Sequence, residues 1–191
     1  MKNIKPTDSQ GIAFILGSSW LKSAKGNYPK PNEMTKKTKM KLYKVLVRPV
    51  VVYGPECWVL TENMKQKLLV FERKILRRIS GPTQKASGEW RLKTNEELEE
   101  AINKENIVRY IKYKQLGWLG HVERMTNKRV AKTIYKWKPY ATRLKGRPRV
   151  RWEDDVRNDL RKMGVTNWKQ MTRERKKWKE IIEQAKTHKE L

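Results

Sequence analysis

Breaks made of glycine and proline divide this chain into segments in which apolar residues recur with a helical period. Two Gly-Pro pairs, at 54–55 and 81–82, flank the clearest segment, where apolar residues recur every three or four positions from Met64 to Ile79. Such a recurrence places the apolar side chains on one face of a helix. Proline lacks the N–H that a helix interior needs, and glycine is common just past helix ends. The pattern predicts a mostly α-helical protein built from helical hairpins.

The first predicted hairpin lies within residues 35–82. Thr35 or Thr38 can begin its first helix, and Pro49 must kink or end that helix. Thr61 is a candidate N-cap for the second helix, whose predicted apolar stripe consists of Met64, Leu68, Phe71, Ile75 and Ile79. Residues 1–34 show no sustained period, so they are interpreted as an irregular lead-in.

A middle helical unit is predicted for residues 83–138. Thr94 and Glu97 have the spacing of a capping box, so a short acidic helix should occupy residues 95–103. Residues 106–125 are predicted to continue as a longer helix. Its apolar stripe should contain Ile107, Ile111, Lys114, Trp118, Val122 and Met125. Its remaining surface should carry Arg109, Lys112 and Arg124.

Beyond residue 138 the helical pattern stops and then resumes. Residues 139–150 form a basic connector, which two prolines and a glycine keep extended and out of a helix. A second helical hairpin is predicted for residues 151–191. Its first helix covers about 151–163 and stops at Gly164, a frequent residue at helix ends. Its second helix should begin near residue 166, with an apolar side made of Trp168, Met171, Trp178, Ile181, Ile182 and Ala185.

The net charge of the chain indicates what kind of partner it has. The 46 lysines and arginines outnumber the 20 acidic residues, which gives a formal net charge of +26 and a pI near 10.3. Lysine and arginine neutralise phosphates and release condensed counterions, so a polyanion is the expected partner. A highly charged solvated surface is the alternative. Hydrophobic residues make up 37% and charged residues 35% of the chain, which favours small local cores over one large core.

The basic connector is the sharpest candidate for phosphate contact. In the run ATRLKGRPRVRW, cations recur at every second position, at Arg143, Lys145, Arg147, Arg149 and Arg151. An extended segment with this period can follow a line of phosphates. The Gly-Arg-Pro core also resembles an AT-hook, in which arginine enters the minor groove of DNA. A plain solvated linker is the third interpretation.

Two further sets of cations complete the predicted binding surface. The helix that ends before Gly81 carries, beside its apolar stripe, the residues Arg73, Lys74, Arg77 and Arg78. Arg124 belongs to the segment 112–125, where Trp118 can stack on an unpaired base and His121 or Arg124 can contact phosphate. Packing within the fold is the favoured interpretation for Trp118 and His121. The two glycines of this segment are expected to mark close helix packing.

Candidate catalytic and metal-binding groups are few. One cysteine and two histidines cannot supply the four ligands of a structural zinc site. Cys57 has no nearby histidine, so a buried and inert thiol is expected. Glu153, Asp154 and Asp155 open a predicted helix, where acids stabilise the positive end of the helix dipole. The strand hairpin that holds the magnesium-binding carboxylates of a polymerase is not visible around them. No enzymatic activity, metal or cofactor is therefore predicted.

Four runs of sequence, taken together and in order, resemble a known family. The runs are LYKVLVRPVVVYGPECWVLT, LLVFERKILRRISGP, LGWLGHVERM and KGRPRVRWEDDVRNDLRKMGVTNW. They are similar to the C-terminal third of endonuclease and reverse transcriptase proteins encoded by animal non-LTR retrotransposons. The resemblance extends from about Thr35 to Leu191. It implies a thumb-like region at 40–81, followed by a post-thumb tail that grips template RNA and target DNA.

The same resemblance implies what this chain lacks. In that family the Asp-Asp box and the endonuclease lie upstream of the matched region, and neither is recognisable here. Some relatives carry a Cys/His zinc knuckle in the tail, and its ligands are missing from this sequence. Residues 1–34 do not match the family, which suggests a truncated or rearranged copy.

The expected function is non-specific binding of RNA or DNA through phosphate contacts, without catalysis. Two other classes stay open: a helical module that docks an acidic protein or a missing polymerase half, and a non-functional retroelement remnant. The sequence identifies no protein partner. The apolar run at 12–16 is too short for a signal core or a membrane span, so the expected location is nuclear or cytoplasmic, not secreted.

Overall fold

A computed structural model describes residues 34–137, 151–189 and 191 of the chain. The regular structure in these ranges is helical apart from one short pair of strands, which confirms the prediction of a mostly α-helical protein. The predicted basic connector, residues 139–150, lies outside the described residues.

The helices and strands are given in chain order. They are α1 (Lys36–Leu42), a π-helical segment (Tyr43–Val47), α2 (Arg48–Val51), a 3-10 turn (Pro55–Cys57), α3 (Glu62–Ser80), β1 (Thr83–Gln84), β2 (Trp90–Arg91), α4 (Asn95–Ala101), α5 (Ile107–Arg124), α6 (Val130–Lys136), α7 (Trp152–Lys162), α8 (Trp168–Met171) and α9 (Arg175–Ala185).

The described residues form two compact units, and each unit uses two separate stretches of sequence. The first unit contains residues 34–53 and 74–93. The second unit contains residues 54–73 together with the described residues from 94 onwards. The chain therefore passes from the second unit back to the first inside α3, between Arg73 and Lys74.

The first unit begins with a helical stretch that runs through α1, the π-helical segment and α2. The Thr38 N–H donates to the Thr35 Oγ1 at 3.2 Å, so Thr35, one of the two predicted caps, begins α1. Pro49 lies in the first turn of α2, where a helix does not need its N–H. The backbone widens into the π-helical segment just before this proline, and the helix ends two residues after it, as the sequence predicts.

The first unit is completed by the end of α3 and a β-hairpin. Gly81 has a φ of +70° and ends α3, which confirms the predicted stop. The strands β1 and β2 then pair antiparallel, with Thr83 opposite Arg91. Strands of two residues are too short for alternation to reveal them, so the sequence-based prediction misses this pair.

The helix α5 forms the centre of the second unit. Its Leu116 and Leu119 are at most 1% exposed, and they pack with buried apolar side chains from α7 and α9. Those side chains are Val156, Leu160, Trp178, Ile181 and Ala185. The two C-terminal helices therefore share one core with α5, which burial of apolar area stabilises.

The two glycines of α5 have different roles. A Cβ atom on Gly120 would overlap the indole ring of Trp178, whose Nε1–H donates to the Leu116 carbonyl at 3.2 Å. The prediction of close helix packing is confirmed at Gly120. A Cβ atom on Gly117 would meet no other group within 4 Å. The same prediction is therefore wrong at Gly117, which faces open space.

Two cations of α5 that were predicted to lie on its outer surface are buried. Lys112 and Arg109 are 1% and 7% exposed. The Lys112 ammonium lies 2.7 Å from a carboxylate oxygen of Asp155 and 2.7 Å from one of Asp159, both on α7. A pattern of apolar and polar residues cannot reveal a buried lysine, because burial becomes possible only when a distant segment supplies its counter-charge.

The buried side of α3 also differs from the predicted stripe. Met64 is 40% exposed, whereas Glu72 is 2% exposed. The Glu72 carboxylate accepts a hydrogen bond at 2.8 Å from the backbone N–H of Ile107, at the start of α5. The carboxylate thus satisfies one of the unpaired N–H groups at a helix N-terminus, which explains why an acid is buried there.

Residues 54–73 supply two further hydrogen-bond acceptors to the rest of the second unit. The carbonyl of Trp58 accepts from the Gln115 side-chain amide at 2.6 Å. The carbonyl of Glu56 accepts from the Trp152 indole N–H at 2.6 Å. These bonds satisfy polar groups of α5 and α7 that are sheltered from water, and an unsatisfied buried group is costly.

The C-terminal part of the second unit contains two helices where the sequence predicts one. Gly164 has a φ of +72° and follows α7, which confirms the predicted stop. The chain then forms α8 and α9, which are separated at residues 172–174. Thr172 is 1% exposed, and its hydroxyl donates to the Lys169 carbonyl at 2.8 Å. A threonine that bonds to the backbone in this way competes with continued helix, which accounts for the break.

Candidate nucleic-acid interface

Exposed cations gather where α9 begins. Arg173, Arg175, Lys176 and Lys179 are all exposed, and Arg124 at the end of α5 lies close to Arg175. We call these five residues the α9 basic cluster. The sequence-based prediction included Arg124 but missed the other four, because it considered only the apolar side of this helix. The run RERKKWK at 173–179 carries the signal that could have revealed them.

The electrostatics of the α9 basic cluster are unfavourable for the isolated protein. The first turn of α9 contains basic residues and no acidic residue. Cations near a helix N-terminus oppose the positive end of the helix dipole. Lys177 is compensated by Glu174 at 2.8 Å, and the hydrogen bond to Glu174 raises the pKa of this lysine. A bound anion would relieve the repulsion among the remaining cations and would also accept from the free N–H groups of the helix end.

Arg124 is hydrogen-bonded to the backbone between α8 and α9. Its guanidinium donates to the Thr172 carbonyl at 2.8 Å, and its side chain is half-buried. Burial, together with the charge of Arg175, lowers the pKa of Arg124 from its usual value. Arg124 is predicted to contact phosphate, but at least one N–H group of its guanidinium already donates to the link between α8 and α9.

The predicted cations of α3 are distributed over both units. Lys74 and Arg78 are exposed and lie one helical turn apart in the first unit, where Arg77 is half-buried. Arg73 is half-buried and belongs to the second unit. Lys74 and Arg78 are thus the two members of this set that are most available to a ligand.

Of the five cations predicted in and beside the basic connector, the structure describes one. Arg151 is exposed and is the N-cap residue of α7. The other four predicted residues of the connector lie outside the described residues: Arg143, Lys145, Arg147 and Arg149. Their role in phosphate contact stays a prediction.

The acidic triplet that opens α7 lies in the first helical turn, as predicted. Asp155 pairs with Lys112, while Glu153 pairs with Arg157 and accepts from the Tyr135 hydroxyl at 3.2 Å. Burial and the charge of Glu153 raise the pKa of Tyr135. Within the described ranges, no group of three or more His, Cys, Asp or Glu side chains is arranged to hold a metal ion.

Two predictions about reactive side chains are wrong. Cys57, expected to be buried, is exposed, because the 3-10 turn that contains it buries Pro55 instead. His121, expected to be packed within the fold, is exposed on α5, and its ring lies 5.4 Å from the ring of Trp118.

A cleft of about 260 Å³ lies beside these rings in the second unit. Its lining comes from the 3-10 turn, α5 and α9, and consists of Glu56, Tyr113, Lys114, Gly117, Trp118, His121 and Ile182. We call it the Trp118 cleft. Trp118, expected in the core, is half-buried at its wall.

These features define a strongly basic, mostly α-helical protein with cations exposed on several helices. The chain is 26% identical over 159 residues to an uncharacterized transposon-derived protein of Caenorhabditis elegans, and the match covers 80% of this chain. The chain spans 57% of the length of that relative. This similarity supports a transposon-related origin. No protein-family model and no solved structure matches the chain. Across the described ranges, no helix is both long and apolar enough to cross a membrane.

Proposed function

We propose that this chain binds RNA or DNA through phosphate contacts. In this proposal it corresponds to the thumb and tail of a non-LTR retrotransposon reverse transcriptase, without the catalytic residues of that enzyme. The transposon-derived relative supports a transposon-related origin, and the finer assignment rests on the resemblance of the four runs of sequence. The chain itself neither polymerises nor cleaves nucleic acid.

The α9 basic cluster is the observation that carries the proposal. Cations in the first turns of a helix oppose the positive end of its dipole and lower the stability of the free protein, and a bound polyanion offsets this effect. Arg151 is a further exposed cation of the second unit, and the first unit has its own exposed cations, Lys74 and Arg78. Among the helices that the structure describes, we recognise none dedicated to base edges, so we expect binding to be broadly independent of sequence.

The test is a salt titration of duplex DNA and single-stranded RNA binding, followed by fluorescence anisotropy. Log affinity should fall with log salt, with a slope of about −0.9 per duplex phosphate neutralised. Changing Arg175, Lys176 and Lys179 to alanine should reduce that slope by up to about 2–3. Thermal stability should stay equal or rise, because cations at the helix start are removed.

The matched control removes the same amount of charge from another helix. Lys36, Lys37 and Lys41 are exposed on α1, and their change to alanine gives an equal loss of net charge. This control should reduce the slope less than the α9 variant does. Equal effects of the two variants would show that the α9 basic cluster has no special role, and a flat salt response would overturn the proposal as a whole.

A separate assay tests the absence of catalysis. We expect no magnesium-dependent primer extension and no cleavage of supercoiled DNA by the purified chain. Extension that the changes Asp154→Ala and Asp155→Ala abolish would contradict this part of the proposal.

One observation favours a second candidate, a helical module that docks a protein. Val130 and Ile134 are 72% and 67% exposed and share one face of α6, and Trp137, just after the end of α6, is 64% exposed. A pull-down with and without nuclease separates the candidates. Partners lost on nuclease treatment indicate nucleic-acid binding, whereas partners retained until Ile134→Lys is introduced indicate protein docking.

A further inference from the structure

We propose that the Trp118 cleft receives one unpaired nucleobase, so that the chain grips single-stranded RNA or DNA by a base as well as by phosphates. This inference rests on the proposed function and specifies the form of nucleic acid that the second unit prefers. Both single strands and duplexes carry phosphates, so a preference for a single strand requires contact with an unpaired base.

Three rings and one lysine line the cleft, and a second lysine lies against one of the rings. The rings of Trp118 and His121 lie 5.4 Å apart on α5, and Tyr113 lies one turn before Gly117 on the same helix. The Lys186 ammonium lies 4.3 Å from the centre of the Tyr113 ring, and the Lys114 ammonium lies 5.8 Å from it. Proteins bind single strands with this combination, in which bases stack on rings and cations follow the backbone.

Gly117 gives the cleft its depth without serving the fold. Glycine is among the least favourable residues for a helix interior, so its presence within α5 needs a reason. Gly120 has a structural reason, because the Trp178 ring occupies the place of a Cβ atom. Gly117 has no such neighbour within 4 Å, and it lines the cleft. A larger side chain there would fill the space beside Trp118.

The size and charge of the cleft suit a base more than a phosphate. Its volume of 260 Å³ lies just below the range of about 300–1,000 Å³ that is typical for whole drug-sized ligands, so it suits one planar ring system. Glu56 is one of the lining residues, and the negative charge of its carboxylate disfavours a phosphate. The same carboxylate can accept a hydrogen bond from the amino group of cytosine, adenine or guanine. Bases within a duplex are stacked and paired, so an unpaired base is the ligand that can enter.

The decisive comparison uses two oligodeoxycytidylates of about ten nucleotides, one with all its bases and one with abasic sugars in the central positions. The two carry the same phosphates, so a difference in affinity measures the contribution of the bases. We expect the complete oligomer to bind about 5- to 150-fold more tightly, which corresponds to stacking of one base. The matching oligoribocytidylate should show the same preference if the cleft recognises the base and not the sugar.

Two variants with different effects on folding connect that difference to the cleft. Trp118→Leu removes the stacking surface, and Trp118→Phe should restore part of it. Gly117→Leu adds a good helix former into open space, so it should block the cleft without unfolding α5. Both leucine variants should bind the complete oligomer as weakly as the abasic one. The control Trp137→Leu changes a tryptophan that is 64% exposed outside the cleft, and the preference should persist.

The outcomes separate this inference from the proposed function. Equal binding of both oligomers by the unchanged chain would overturn the cleft inference and leave phosphate binding standing. A preference that survives Gly117→Leu in a folded protein would also overturn it. No binding of any oligomer would refute the proposed function as well. If an apolar peptide competes for the cleft and a cytosine oligomer does not, the occupant is a protein side chain, and the inference is wrong.

Discussion

Lys112 offers the strongest test of how the second unit is held together. Its ammonium lies at 2.7 Å from both Asp155 and Asp159, and its side chain is 1% exposed. Lys112→Met keeps most of the length and apolar contact of the side chain but removes the charge. Asp159, with a side chain 4% exposed, would then be a buried carboxylate without a counter-charge.

The expected loss of stability is large. Removing one partner of a buried ion pair costs about 3–5 kcal/mol, because the remaining charge stays buried and unpaired. A domain is typically stable by about 5–15 kcal/mol, so this change removes roughly a fifth or more of the total. The loss should shrink as pH falls from about 7 to about 4, because burial raises the pKa of Asp159 and its carboxylate becomes neutral in the folded state.

Urea unfolding followed by tryptophan fluorescence measures this loss, and Lys65→Met provides the control. Lys65 pairs with Glu62 at 2.6 Å, but the Glu62 side chain is 80% exposed, so its ion pair should contribute about 0–1 kcal/mol. If Lys112→Met cost no more than this control at neutral pH, the ion triad would not stabilise the second unit. A loss that is the same at pH 4 as at pH 7 would refute the electrostatic explanation.

Four other variants test separate parts of the chain. Burial raises the pKa of Asp159, so its carboxyl group favours folding below the unfolded value of about 3.9, and this contribution is lost as pH rises through the folded pKa. Asp159→Asn should therefore gain thermal stability relative to the unchanged protein as pH rises from 4 to 7, and a constant difference would contradict the reasoning. Gly120→Ala should lose about 1–3 kcal/mol in urea unfolding through overlap with a buried indole, whereas Gly117→Ala should gain up to about 1 kcal/mol. Replacing Arg147 and Arg149 by alanine should weaken binding to every nucleic acid and lower the salt slope by about one per lost phosphate contact. A greater loss on AT-rich than on GC-rich duplex would instead indicate groove insertion, and unchanged affinity would make the connector a solvated linker.

The sequence predicts the helices well because their signals are local. The Thr94 capping box is present, with the Glu97 carboxylate accepting from the Thr94 N–H at 2.9 Å. The N–H of Met64 donates to Thr61 at 3.3 Å, as predicted for that N-cap. Each of these signals depends on residues within four positions of each other, so neither requires knowledge of the tertiary structure.

Burial of charged residues could not be predicted in the same way. Lys112 and Asp155 are 43 positions apart, and Glu72 and Ile107 are 35 apart. A sequence pattern assigns lysine and glutamate to the solvent side of a helix, because most of them lie there. Their actual positions depend on which distant segment supplies the partner.

The cations of the candidate interface were predicted from the sequence only in part, because the place where one helix begins was not predicted. Lys74, Arg78 and Arg151 are exposed and Arg124 is half-buried, and their role in binding stays a prediction. The α9 basic cluster was missed because the sequence pattern predicts a continuous helix from about residue 166. In such a helix, the cations at 173–179 would form a central stripe and not a helix start. The break at Thr172 is what places them at the positive end of a helix dipole.

The alternation of the two units along the chain means that no single cut can separate them. A fragment that starts at Thr94 would lack the carboxylate of Glu72 and the carbonyls of Glu56 and Trp58, which accept hydrogen bonds from α5 and α7. During synthesis these acceptors leave the ribosome before the helices that they serve, and they stay hydrated until those helices arrive. A shortened copy of this gene that loses residues 54–73 would therefore encode the α9 basic cluster on a unit that has lost part of its own scaffold.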